Sequence, residues 1–93
     1  MNMEYNFPVV SDWAFRANKH GTFLIGKVTG SDKFSEGERV RTSPVQRISH
    51  FGRDKIIVTT RNSYYIIYKE EVNYKYRKAF PNYWRDIIYE SQL

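Results

Sequence analysis

The sequence predicts an α+β fold: a small, strongly bent antiparallel sheet of about five strands, closed on one side by a carboxy-terminal amphipathic helix. Three observations carry the prediction. Asp54 to Lys69 reads DKIIVTTRNSYYIIYK, two β-branched and aromatic runs around a short polar turn. Further strand-like runs between Thr22 and His50 are broken by glycine, serine and proline. Beyond Lys69 the apolar residues recur at spacings of three and four.

The hairpin at 54–69 organises the rest. If Thr59 pairs with Tyr64 across Arg61-Asn62-Ser63, Ile57 faces Ile66 on one side of the ribbon, while Val58 and Ile56 lie beside Tyr65 and Ile67 on the other. Asn62 is expected to supply the positive φ of a tight reversal. A two-stranded ribbon that is apolar on both faces is marginal alone, so it belongs centrally in a small barrel or covered sheet.

From the amino terminus, Met1 to Val10 reads as an extended arm, because Asn6-Phe7-Pro8 disfavours helix and proline donates no hydrogen bond. The barrel-like sheet is expected over 13–69. Trp13 to Ala17 alternates poorly but is β-compatible, and Asn18-Lys19-His20-Gly21 has the composition of a turn. Thr22 to Thr29 forms a strand with Leu24 and Val28 on one face and Phe23 and Ile25 on the other; Gly26 marks a bend, a bulge or a close backbone approach. Gly30 to Gly37 is a polar loop anchored by Phe34. Glu38 to Thr42 is a short strand, interrupted at Ser43-Pro44 and resumed over Val45 to His50, which puts the segment on an edge or around a barrel corner. In the tail, over 73–91, Tyr76, Phe80, Tyr83, Trp84, Ile87 and Ile88 form a stripe that packs on the sheet. Pro81 suits the first turn of a main helix over Pro81 to Glu90, with a shorter turn or helix before Phe80.

A chain of 93 residues fits one domain and buries roughly 60 to 65% of its unfolded surface, enough for one core. Cysteine is absent, which removes disulfides and thiolate zinc sites and suits a reducing compartment. The amino terminus lacks a basic region followed by an apolar run, and no apolar segment approaches the ~20 residues of a membrane span, so the expectation is a soluble, cytoplasmic protein.

Signatures of catalysis are weak. Gly21 to Lys27 has the two glycines and lysine of a phosphate-cradling loop, but Val28 stands where that loop needs a hydroxyl, and the intervening residues are strand-like. Ser49, His50 and Asp54 have the residue types of a nucleophile triad, yet neighbours on a strand point to opposite faces. His20 and His50 have no companion at metal-ligand spacing. The chain is therefore expected not to be an enzyme and to take no cofactor and no metal.

The net charge of +5 is unevenly placed. Arg39, Arg41, Arg47, Arg53, Lys55 and Arg61 face only Asp54 in their stretch, whereas the two flanking stretches are close to balanced. Arg39 and Arg41 project on one side of their strand, and Arg47 continues the row if the Ser43-Pro44 kink keeps the face. Guanidinium groups offer planar forks of donors to phosphates, and Tyr64 or Tyr68 beside them could stack on unpaired bases. The same residues also suit solvated faces, guarded strand edges or half-buried packing. Tyrosine and arginine equally favour protein interfaces, including a homodimer seam.

Gly26-x-Val28-x-Gly30, Phe34-x-x-Gly37, Val40-x-Thr42-Ser43-Pro44-Val45 and Val58-x-Thr60-x-Asn62-Ser63-x-Tyr65-x-Ile67 together resemble the strand-and-turn layout of small SH3-like barrel proteins, including short phage and mobile-element products. The resemblance spans about Phe23 to Tyr68 and implies a five-stranded barrel; it transfers no functional site. Two readings follow. The first is a non-enzymatic module whose basic surface, Arg39, Arg41, Arg47, Arg53, Lys55 and Arg61 with Tyr64 and Tyr68, binds nucleic acid or an acidic face of a protein that handles it. The second, which the resemblance adds, is an anti-CRISPR-like inhibitor of a bacterial defence system that acts by protein binding.

Overall fold

A computed structural model describes residues 7–50 and 52–91, the side chains of 90 and 91 excepted. The strands β1 (Val9–Asn18), β2 (Gly21–Thr29), β3 (Glu38–His50), β4 (Lys55–Thr60) and β5 (Tyr64–Tyr68) follow one another around a closed ring. Successive strands are antiparallel, and the ring is sealed by parallel pairing of β1 with β5 at Val9 and Ile66. A 3-10 turn at Lys69–Glu71 leads into two short helices, α1 (Tyr74–Ala79) and α2 (Tyr83–Ser91). No helix among the described residues is long and apolar enough to cross a membrane.

β1 and β2 meet across Lys19-His20, where the Asn18 side chain accepts a bond from the His20 N–H at 2.7 Å. The poor alternation of β1 has a cause at Asp12. This residue takes φ 50°, and the pairing with β2 slips between Ser11 and Ala14, so one bulge turns the strand and re-aims its side chains. Gly26 lies against that bulge: a Cβ there would come within 2.4 Å of Val10 Cγ1 and 2.7 Å of the Ser11 carbonyl oxygen. Of the three roles open to this glycine, close backbone approach is the one it serves. Gly21 to Lys27 lies within a β-strand and not in a phosphate-cradling turn.

β3 is one continuous strand rather than two, because Ser43-Pro44 falls where the strand changes partner. Its first half pairs with β2 and its second with β4, with register slips on both sides of Pro44. The β4–β5 pairing has the expected register, Thr59 opposite Tyr64 and Ile57 opposite Ile66. The turn differs from expectation: Asn62 is not left-handed, and among described non-glycine residues that conformation belongs to Asp12. Three residues give the reversal enough length, with the Thr60 N–H donating to the Ser63 carbonyl at 2.8 Å and the Ser63 N–H to Thr60 Oγ1 at 3.2 Å. Asn62 instead uses its amide to reach Ser43 Oγ at 3.0 Å.

The predicted arm divides. Val9 and Val10 open β1; Pro8 accepts from the Ile66 N–H at 2.9 Å and Phe7 stacks on Tyr64 at 4.9 Å, covering part of the ribbon's outer side. Residues 1–6 lie outside the described residues.

The core runs through all five strands, with Val10, Trp13, Leu24, Val40, Val58 and Ile67 among its members, and α2 completes it with Tyr83, Trp84 and Ile87. Trp13 is fully buried and touches Tyr76, Tyr83 and Trp84 at ring separations of 6.0, 5.8 and 6.3 Å; its Nε1 donates to the Tyr68 carbonyl at 2.7 Å. Trp84 Nε1 reaches the Arg53 carbonyl at 3.3 Å, and Tyr83 donates to the Lys69 carbonyl at 3.1 Å. α2 is thus a plug in the end of the ring where β3 turns into β4. It begins at Tyr83, two residues after Pro81, so the proline precedes the helix instead of sitting in its first turn. The break at Phe80 and Pro81 also divides the apolar stripe: Tyr83, Trp84 and Ile87 are buried, whereas Phe80, the C-cap of α1, is 54% exposed.

Candidate functional site

Antiparallel partners project to the same side of a sheet, so the registers of β1, β2 and β3 define rows across the barrel wall. One row is Ser11, Lys27, Arg39; the next is Ala14, Ile25, Arg41; the third is Arg16, Phe23, Pro44. The alternate residues Leu24, Val28, Val40 and Thr42 are buried inside, so these rows face outward. Arg16, Lys27, Arg39 and Arg41 are all exposed. Asp12 lies among them through the bulge.

Two interactions fix this face. The Arg39 guanidinium donates to Asp12 Oδ2 as an ion pair, and Asp12 Oδ1 accepts from Asn73 Nδ2 at 3.0 Å. Asn73 is the N-cap of α1, its Oδ1 accepting from the Tyr76 N–H at 3.1 Å, so the carboxylate ties the bulge, β3 and the helix together. The Arg39 hydrogen bond, outweighing the cost of partial burial and helped by Asn73 and Lys27, holds the Asp12 carboxyl below its ordinary pKa. Arg41 lies over Phe23, Cζ 4.8 Å from the ring centre, which explains why an outward-facing phenylalanine is only 7% exposed. A guanidinium held over a ring face by its charge still has N–H groups to offer a further partner. Among the described residues Arg16, Lys27, Arg41 and Lys75 make no ion pair.

Between this face and α1 runs a groove of about 380 Å³. Arg16, Arg39 and Lys75 line it with Asp12, Tyr76 and Phe80. Phe80 and Tyr76 also border a second hollow of about 340 Å³ against α2, with Phe15, Ile48 and Ile87. Phe80 thus borders both the basic groove and a second hollow that also takes in Thr22 and Asp86.

The residues singled out from sequence occupy three places. Arg39 and Arg41 lie on the β1–β3 face. Arg47 also points outward, but it pairs with Thr59 on the β4 side of the corner, in a row that ends at Tyr64. Arg61 is at the tip of the β4–β5 hairpin, where Lys33 Nζ reaches the Asn62 carbonyl at 3.2 Å and Ser63 Oγ at 2.6 Å. Arg53 and Lys55 are at the hairpin's other end, about 20 Å away by strand length, around an open hollow of about 420 Å³ with Asp54 and Tyr68. Lys55 Nζ sits 5.5 Å from the Tyr68 ring centre, and Tyr64 has one face against Phe7. The eight do not form one patch.

Arg16, Lys27, Lys75 and Phe80 were not among them. A signal for Arg16 existed, since a two-residue turn at Lys19-His20 puts it opposite Phe23. Lys27 was hidden by the bulge at Asp12, and Lys75 and Phe80 by the packing of α1. Among the described residues no three His, Cys, Asp or Glu side chains gather as a metal-binding group.

No family model, curated protein sequence or solved structure matches this chain.

Proposed function

We propose that the protein is a non-catalytic binding module on an SH3-like barrel, acting in the cytoplasm, that engages an anionic partner through the outer face of β1–β3. The partner is nucleic acid or an acidic face of a protein that handles nucleic acid. One observation carries the reading: Arg16, Arg39 and Lys75, from two strands and a helix, line one groove whose acidic residue is Asp12, and Lys27 and Arg41 lie on the same outer face of the sheet beside it. Support for the barrel type is the long third strand that changes partner at Pro44. The absence of cysteine suits the compartment.

The test is binding to labelled single-stranded and duplex oligonucleotides at low salt, followed by titration with salt. Binding is expected to weaken steeply as salt rises, and Arg16→Gln with Arg41→Gln is expected to reduce the logarithmic salt slope by about 1 to 2, near one released counterion per lost phosphate contact. Binding unchanged by the double substitution would remove this face from the reading. A second reading, inhibition of a bacterial defence protein by direct docking, draws on the exposed Tyr74 and Tyr89 of the helical tail, the former within 6 Å of Arg77 and Lys78. In that case Tyr74→Ala, not the arginine pair, abolishes recovery of the partner.

A further inference from the structure

We infer that the groove between β1–β3 and α1 takes a single-stranded polynucleotide, one base of which stacks on Phe80. The inference rests on the proposed anionic-partner reading and names the partner's chemistry. Phe80 is 54% exposed, yet its backbone is held on both sides: its N–H donates to the Tyr76 carbonyl at 2.9 Å, and its own carbonyl accepts from the Tyr83 N–H at 2.9 Å. Its ring is tilted against that of Tyr76, 4.9 Å away at 44°. Among the described phenylalanines it is the most exposed.

The same ring borders the groove lined by Arg16, Arg39 and Lys75. A flat apolar platform beside a cationic track matches the two halves of a nucleotide, base and phosphate, and that pairing recurs in sites for unpaired strands. The groove, about 380 Å³, has room for a nucleotide. A duplex keeps its bases stacked on one another and offers only its backbone, so it could use the cations but not the ring. An acidic peptide likewise has no π face to offer. Ribose and deoxyribose strands share the recognised chemistry.

The experiment is fluorescence anisotropy of the full chain with labelled oligo(dT) and oligo(rU) of roughly 12 nucleotides, within the span of a small strand-binding site, and with a duplex and a polyglutamate peptide of the same length. Single strands are expected to bind more tightly than the duplex. Phe80→Leu is expected to weaken single-strand binding roughly tenfold while leaving the salt slope and the duplex affinity unchanged, and Phe80→Trp is expected to restore it. Thermal melts of the variants check that this exposed position leaves the fold intact. Equal affinity for strand and duplex with no effect of Phe80→Leu would overturn stacking but leave the cationic face standing. Binding of polyglutamate alone overturns the polynucleotide assignment. If nothing binds, both readings fail.

Discussion

Because Asp12 sits at φ 50°, its side chain leaves the regular alternation of β1 and reaches Arg39 and Asn73, two residues that a flat strand would not bring to it. Asparagine tolerates the left-handed region at least as well as aspartate, so Asp12→Asn should keep the bulge while removing the charge. The groove then gains net positive charge and Arg39 loses its internal partner. We expect nucleic-acid affinity to rise several-fold with a steeper salt dependence, read by the same anisotropy titration. The stability consequence has a definite sign. The folded pKa of Asp12 lies below its unfolded value, so its contribution is complete above the unfolded value, near 4, and is lost as pH falls through the lowered folded one. Urea denaturation between pH 7 and pH 3 should show a smaller acid-induced loss in Asp12→Asn than in the native chain. The ion pair is half-exposed, so the difference is small.

The strands divide into those whose pairing is written locally and those whose pairing is not. The β4–β5 hairpin was legible to the residue, since Ile56, Val58, Tyr65 and Ile67 alternate with Ile57, Thr59 and Ile66 across a short turn. Its turn chemistry was less so, because Asn62 bonds to Ser43, nineteen positions away in sequence, rather than to its own loop. β1 was legible only in outline. Its bulge depends on Arg39, Asn73 and Gly26, none of them near Asp12 in the chain, and the rows that assemble the basic face depend in turn on that bulge. For the same reason the sequence placed Arg39 and Arg41 in a row along β3 but not beside Arg16 and Lys27 of the neighbouring strands. Gly26 tests the coupling: Gly26→Ala pushes a methyl group into the Ser11 carbonyl, which a side-chain rotation cannot relieve, and should cost about 2–3 kcal/mol in urea unfolding. A milder loss would mean that β1 and β2 separate more easily than their contact implies.

Taken together, the ring and its helical tail are one packed unit. Tyr83, Trp84 and Ile87 are core residues as much as any on a strand, and Trp13 meets them through its ring while its indole N–H holds the end of β5. Trp84→Ala should therefore cost about 3–5 kcal/mol, a large part of the stability available to a domain of this size. Chemical denaturation monitored by far-ultraviolet circular dichroism measures it. If the cost is under about 1 kcal/mol, α2 is an accessory and not a stopper. The helix was visible in the sequence as a stripe with period near 3.6; its split at Phe80 and Pro81 was half visible, and the exposure of Phe80 was not, because it depends on how α1 is moored to Asp12.

Closure of the ring joins β1 to β5, strands separated by most of the chain. During synthesis the ribosome therefore releases β1, with Trp13 still uncovered, well before Ile66 can seal against Val9, and the indole meets Tyr83 and Trp84 only once α2 has emerged. Such late, sequence-distant contacts slow folding and lengthen the time that sticky surface is displayed. The nascent polypeptide should accordingly be a client for chaperones that hold apolar segments, and it should be released from them only after the tail leaves the exit tunnel.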